Sequence, residues 1–236
     1  MPDHSLPIKI RFKHFRIDYI DHSVITFLSS NKQIWDKSGT NLELSIENVQ
    51  PIWDVLASQI WPIFATSIRH LSFPNANHLD NLRRRTSPTL LTDLDQLYSI
   101  NSRLLFPDGI ADDGPNATAG QALSKWLHTP RKNGQPNELR FCVYFNQITH
   151  GWISNFKETF LRATTSVSYK IVFAVHKTSI EPFEAVNEVT QEKLTLTKDE
   201  EIYCLLKRCP IVVETATVWE KKPKFGQIER SDLPSL

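Results

Sequence analysis

The sequence predicts an α/β fold of irregular strand–helix repeats that ends in a β-hairpin. Three observations carry this. Short apolar runs of strand length alternate with longer amphipathic runs from Leu42 to Val175. Parallel strands need a long return, so a strand–helix–strand succession favours parallel pairing with right-handed crossovers. At Phe183 the pattern changes to two strand-like arms around a polar middle, FEAVNEVTQEKLTLT, the signature of a hairpin. The units recur at roughly 25–45 residues, too unevenly for one tight solenoid period. The architecture expected is a leucine-rich-repeat-like stack or an open, mainly parallel sheet.

The first expected strand is Ile8–Phe15, with Ile8, Ile10, Phe12 and His14 on one face and Lys9, Arg11, Lys13 and Phe15 on the other. SVITFLSSNKQIW follows as a helix, its buried side formed by Val24, Phe27, Leu28 and Trp35, and Ser38-Gly39 breaks it. Leu42–Ile46 alternates and reads as a strand. Pro51–Ala65 is a helix with Ile52, Leu56, Ile60 and Phe64 at every fourth position. Pro51 suits a first turn, whereas Pro62 removes a helical hydrogen bond and should kink or end the helix.

Ile68–Phe73 reads as a strand stopped by Pro74-Asn75. Asn77 is the expected cap of HLDNLRRR, with Leu79 and Leu82 inward and Arg83, Arg84 and Arg85 at the C-terminal end. Leu94–Ile100 is strand-like, and FPDGIADDGPNATAG should be an exposed loop. Thr118–Thr129 is a helix with Leu123, Trp126 and Leu127 on its apolar side. Glu138–Phe145 is the strongest strand; Trp152–Ala163 is a helix with Ile153, Phe156, Phe160 and Leu161 as its stripe. Tyr169–Val175, the hairpin over Phe183–Thr197 and a strand at Ile202–Lys207 complete the series.

Composition narrows the classes of function. A chain of 236 residues with 40% hydrophobic and 22% charged residues can build a real core. A formal net charge of +1 gives no global pull toward nucleic acid or anionic membrane, so neither is an expected partner. No apolar stretch is long enough to span a bilayer, and MPDHSLPIKIRFKHF lacks the apolar core of a secretory signal. A cytoplasmic or nuclear location is expected. Cys142, Cys204 and Cys209 have no C-x-x-C spacing, so reduced thiols are the default reading. None of the seven glycines forms a phosphate-cradling motif, and no cofactor is expected.

Candidate chemistry is sparse. Asp108, Asp112 and Asp113 cluster on the acidic loop, where calcium would find carboxylates. Ile110 stands where a second ligand belongs and the closing Glu is missing, so a solvated turn is the better reading. Arg83, Arg84 and Arg85 form the compact basic triplet, able to meet a phosphate or an acidic partner. A helix C-terminus attracts cations in any case. Cys142 could pair with His128 or His150 as a nucleophile, but its place inside the strongest strand favours a core role. Trp126 and Trp152 fit core positions; Trp35, Trp53, Trp61 and Trp219 fit core or interface equally. Asn116-Ala117-Thr118 is a glycosylation sequon, relevant only in the secretory path. No catalytic signature emerges.

Three segments point to a family: DDGPNATAGQALSKWLHTPRKNGQP, EPFEAVNEVTQEKLTLT and LLKRCPI. Together they resemble a large family from plant-parasitic nematodes that carries an F-box-like region followed by an F-box-associated-like α/β domain. The resemblance covers the chain from about the Pro51 helix to Trp219. It implies one F-box-associated-like α/β recognition domain over 1–218, with N-terminal units in 1–50, and a charged, flexible tail over 219–236. It further implies a non-enzymatic protein-interaction domain, the substrate-recognition part of a Skp–cullin–F-box ubiquitin ligase. The expected partners are an unknown target protein and, where a full-length form carries an F-box, a Skp-type adaptor and a cullin. The F-box itself is not visible: an L-P-x-E-[IV] opening is expected, but Leu6-Pro7 is followed by Ile8-Lys9-Ile10. The alternative reading is a nematode effector that binds a host protein, and below it an enzyme of unknown class. Arg83, Arg84, Arg85, Asp108, Asp112 and Asp113 are the expected protein-binding residues.

Overall fold

Strand order follows sequence order through most of this fold. The computed structural model describes residues 12–31, 39–143, 150–175, 180–199 and 203–211. Six strands, β1 (His14–Ile17), β2 (Thr40–Leu44), β3 (Ile68–Phe73), β4 (Ser99–Ser102), β5 (Asn137–Val143) and β6 (Tyr169–Val175), pair in parallel, each with the next. Beyond β6 the sheet turns antiparallel. The strands β7 (Phe183–Asn187), β8 (Glu192–Asp199) and β9 (Tyr203–Pro210) add in the order β6-β9-β8-β7. The result is one nine-stranded, mostly parallel mixed sheet.

A helix or helix pair fills each return within the parallel part. These are α1 (His22–Ser30), α2 (Gln50–Val55) with α3 (Trp61–Phe64), α4 (Ala76–Arg85) with α5 (Leu90–Asp93), α6 (Ala119–Leu127) and α7 (His150–Leu161). A monotonic strand order with one hand of crossover sends every return to the same face of the sheet. Burial agrees. Leu42, Leu44, Leu71, Phe73, Ile100, Leu139, Phe141, Ile171 and Phe173 point inward with Leu28, Leu56, Phe64, Leu79, Leu123, Trp152 and Phe160 of the helices. The alternate positions of β1 to β4 carry polar side chains, whereas those of β6 and β9 include Val172, Ala174, Leu205 and Cys209, of which Val172, Ala174 and Cys209 are buried. The fold is a helical layer under one side of a sheet whose other side is mainly polar.

Local chemistry sets the helix ends. Asp21 caps α1 by accepting from the Val24 N–H at 2.8 Å. Thr118 and Gln121 form a reciprocal capping box at α6. The cap of α4 is Asn75, accepting from Asn77 N–H at 3.0 Å, two residues before the expected position. Pro62 falls in the first turn of α3, which runs on only to Phe64. A π-helical turn over Leu56–Ile60 widens the backbone just before it, and Trp61 N–H returns to Leu56 C=O. The wide turn accommodates the missing donor and keeps Trp53, Leu56, Ile60 and Phe64 fully buried.

Several expectations need correction. In β1 the inward residue is Ile17, with Phe15 packed 5.5 Å from the Phe64 ring, while His14 is exposed and Phe12 is 39% exposed; residues 8–11 lie outside the described residues. The core face is thus the odd-numbered one. Leu94–Ile100 is not one strand. Leu94, Leu97 and Ile100 are all buried at a spacing of three, which an extended chain cannot send to one face, and a turn at 95–96 precedes β4. Phe27 and Leu161 are exposed rather than core. The 103–118 loop is not simply exposed: Leu105, Pro107 and Ala117 are buried, and Trp152 Nε1–H donates to Pro107 C=O at 2.8 Å. Trp53, Trp61, Trp126 and Trp152 are all core; Trp35, Trp219 and the 219–236 tail lie outside the described residues.

The antiparallel end is fastened to the helical layer from below. Asn187 Nδ2 donates to Phe160 C=O at 2.7 Å and Ala163 C=O at 2.9 Å, closing the C-terminus of α7. Arg208 lies over the Phe160 ring at 5.2 Å and pairs with Glu192, both fully buried. No helix among the described residues is long and apolar enough to cross a membrane.

Candidate functional site

The arginine triplet and the acidic loop, separate in sequence, are brought together. Arg83 is the reason, and it is not a surface residue: its side chain is 4% exposed. Its guanidinium donates to Pro88 C=O at 2.9 Å, Ala117 C=O at 2.8 Å and Gly114 C=O at 3.2 Å. Burial pushes Arg83 down from its ordinary value, with Asp80 and Asp113 opposing. Burial likewise raises the Asp80 carboxyl despite Arg83 at 3.5 Å. Arg83 therefore pins the acidic loop to α4 and offers nothing to a partner.

Its neighbours differ. Arg84 is exposed. Arg85 is bound to Asp54 at 2.6 Å and to Asn81. Both border a polar notch of about 530 Å³ with Asn48, Gln50 and Trp53. The acidic side chains are also committed locally. Asp108 accepts from Thr118 Oγ1 at 2.7 Å, Asp112 from Gly114 N–H at 2.9 Å, and Asp113 from Thr92 Oγ1 at 3.0 Å. The three carboxylates shape the loop and converge on no common point. Gly120 completes the packing, since a Cβ there would stand 2.7 Å from the Asp108 carboxylate.

A wide, mainly polar surface lies on the face of the sheet that no described helix covers. Strand register aligns it in rows. One row runs His14, Asn41, His70, Ser99, Glu138, Lys170, Lys207, Thr195 and Glu184. The next runs Arg16, Glu43, Ser72, Asn101, Arg140, Val172, Leu205 and Thr197. Parallel sheets are ordinarily covered on both faces, and no helix among the described residues lies on this one. Charges alternate along it. Arg16 meets Glu43 at 3.4 Å, Arg140 meets Glu138 at 2.5 Å and Lys193 meets Glu184 at 4.0 Å. Tyr98 O–H donates to His70 Nε2 at 2.6 Å, and burial pushes the imidazole down and the phenol up, so both are neutral. Sequence reasoning missed these residues. Their signal was present as the polar half of each alternating strand, usually dismissed as solvated surface.

On the helix side, a cleft of about 590 Å³ lies between the 109–110 loop, α7 and the 163–167 segment. His128 at the end of α6 lines it. Its Nδ1–H donates to Ser124 C=O at 2.8 Å, and burial holds the ring below its usual range. The ring is a neutral acceptor through Nε2, packed against Tyr169 and Phe156. Glu158 and Arg162, also lining the cleft, are paired with each other at 3.6 Å. Cys142 has no place in that lining, and burial raises its thiol, the opposite of nucleophile activation. Side-chain placement of His150 lies outside the described residues. Among the described residues, no three or more His, Cys, Asp or Glu side chains group to hold a metal ion.

No family model matches the chain, and neither a curated protein nor a solved structure matches it.

Proposed function

We propose that this chain is a non-enzymatic protein-interaction domain that meets its partner on the helix-free face of its sheet. The observation that supports this is the monotonic order of β1 to β6, with their helices on one side and a mainly polar face on the other. Stacks of strand–helix units are known for extended binding surfaces made from successive strands, and a leucine-rich-repeat-like description of β1–β6 fits on that ground. The resemblance to the nematode F-box-associated family adds a role: recognition of a target for a Skp–cullin ubiquitin ligase, with the Skp-type adaptor held by an F-box in a full-length form. Here Arg84 belongs to the rim of the molecule and Arg83 to its framework.

The enzyme reading has one observation in its favour, His128 held below its usual range by burial and lining the cleft beside α7. It ranks below, because no cysteine or serine lines that cleft beside it.

The test is affinity capture from native extract with the whole chain, followed by lysine-acetylation footprinting of the recovered complex. A specific partner should shield Lys170, Lys193 and Lys207 on the sheet face while leaving Lys125 on α6 labelled. Recovery of a Skp-type adaptor should require a form bearing an F-box. Shielding confined to the helical side, or recovery of no specific partner, contradicts the reading.

A further inference from the structure

The cleft on the helix side carries chemistry that the sheet face does not use. Its volume of about 590 Å³ falls in the range of small-molecule sites. Part of its wall is apolar. Val167 is buried in it, and Ala163 adds a methyl group. Ile110 on the facing loop is 69% exposed, an isoleucine that its own loop leaves uncovered.

One polar atom in the lining is unused. His128 Nδ1 lies 2.8 Å from Ser124 C=O, and a carbonyl only accepts, so Nδ1 carries the proton. Nε2, on the other flank of the ring, is then a lone-pair acceptor. No described residue donates to it, and it is not sealed from solvent. The ring is also held in place. Tyr169 packs edge-on at 5.4 Å, Phe156 lies at 6.2 Å, and the Ser124 bond sets the ring's rotation. A fixed polar atom beside apolar walls is how small-molecule sites combine affinity with orientation.

The neighbouring charges select against ions. Arg208, also in the lining, is committed to Glu192 at 2.6 Å and to Thr165 C=O at 2.8 Å. Burial holds the His128 ring below its usual range, the Ser124 bond opposes that, and the Arg208 charge adds to it. The same charge acts against a cationic ligand. An anion would face the Nε2 lone pair. On the rim, Glu158 and Arg162 pair with each other at 3.6 Å. We propose that the cleft binds a small neutral molecule with a compact apolar body and one N–H or O–H group, which donates to His128 Nε2. This goes beyond the sheet-face reading and does not rest on it.

The experiment uses the whole chain with indole as the probe and N-methylindole, which lacks the donor, as its control. Binding is followed by ligand-observed NMR and by the nitrogen-15 resonance of His128 Nε2. Indole should bind at about millimolar strength, in keeping with its size, and should move the Nε2 resonance. N-methylindole should bind about fivefold or more weakly, because Nε2 is then covered without a donor. Ile110→Ser, on an exposed loop, should weaken indole about threefold or more, while Val49→Ser, exposed ahead of α2, should change it by less than about 1.5-fold. In His128→Leu, shown to be folded by its urea transition, the two probes should bind alike. Equal binding of the two probes to the native chain, an Nε2 resonance that indole leaves unmoved, or an unchanged indole affinity in Ile110→Ser would overturn the proposal. Tighter binding of tryptamine or indole-3-acetate would overturn the neutral ligand. Tighter binding of N-acetyltryptophan amide would overturn the free small molecule in favour of a partner's side chain. Each of these failures leaves the sheet-face reading standing, since lysine shielding tests that separately.

Discussion

The Glu192–Arg208 pair gives the sharpest test of how the antiparallel end is held. Both side chains are 2% exposed or less. Glu192 Oε2 accepts from Arg208 Nε at 3.0 Å and Nη2 at 2.6 Å. Its Oε1 accepts from Ser166 Oγ at 2.8 Å and Val167 N–H at 2.9 Å, while Arg208 Nη2 reaches Thr165 C=O at 2.8 Å. The network ties β8 and β9 to the segment between α7 and β6. Replacing Glu192 by Leu strands a buried guanidinium, which costs about 3–5 kcal/mol. Two more donors, Ser166 and Val167, lose their acceptor, so the upper end of that range is expected. A chain of this size loses about 2–4 °C of Tm per kcal/mol, giving a fall of roughly 6–20 °C. Removing both charges together, as Glu192→Leu/Arg208→Met, should recover most of the loss, because the desolvation of both ions disappears with them. Urea unfolding of wild type, both single variants and the double variant closes the cycle. A single-variant loss below about 1 kcal/mol, or a double variant no better than the worse single, would refute a fully desolvated pair.

Two other outcomes follow from the same structure. Arg83→Ala leaves three backbone carbonyls without their donor and should cost about 2–4 kcal/mol, whereas Arg84→Ala, one residue away and exposed, should stay within about 0.5 kcal/mol; equal losses in urea would contradict the burial of one and the exposure of the other. Burial holds His70, His78 and His128 below the ordinary histidine value, so in acid the unfolded chain takes up protons before the native one. Their contribution is intact above about pH 6.5 and falls away as pH drops from there toward their native values. The urea midpoint at constant ionic strength should decline on that side, less steeply in His128→Gln. A midpoint independent of pH between about 7.5 and 5.5 would count against neutral buried rings.

Much of the architecture was legible because the periodicities were strong. Ile68–Phe73 and Tyr169–Val175 are strands with the bounds their patterns suggest. The α6 stripe of Leu123, Trp126 and Leu127 is buried as expected. Leu94–Ile100 misled because a short apolar run does not show whether a turn precedes the strand; the spacing of three between Leu94, Leu97 and Ile100 is the mark of the turn at 95–96. Pro62 drew attention for a sound reason, but the remedy, one turn of π-helix, leaves no mark in a pattern counted at every fourth residue. The proposed binding residues were harder. Arg83 and Arg84 are adjacent and chemically identical, and only the loop carbonyls that converge on one of them set them apart. Lys170 and Lys207, neighbours on the sheet face, depend on a register between β6 and β9, which skips two strands in the chain. No local pattern holds that information.

The order β1 through β6 bears on how such a molecule forms and how it could change. Each strand from β1 to β5 pairs only with its sequence neighbours, so contacts accumulate at short chain separations and ordering can spread from unit to unit. A whole strand–helix unit could be gained or lost between β2 and β5 by tandem duplication or deletion without rerouting any connection. The meander is different: β9 pairs with β6 across an interval of chain that holds β7 and β8. It closes the growing end of the array, so length can vary upstream while the terminus stays fixed.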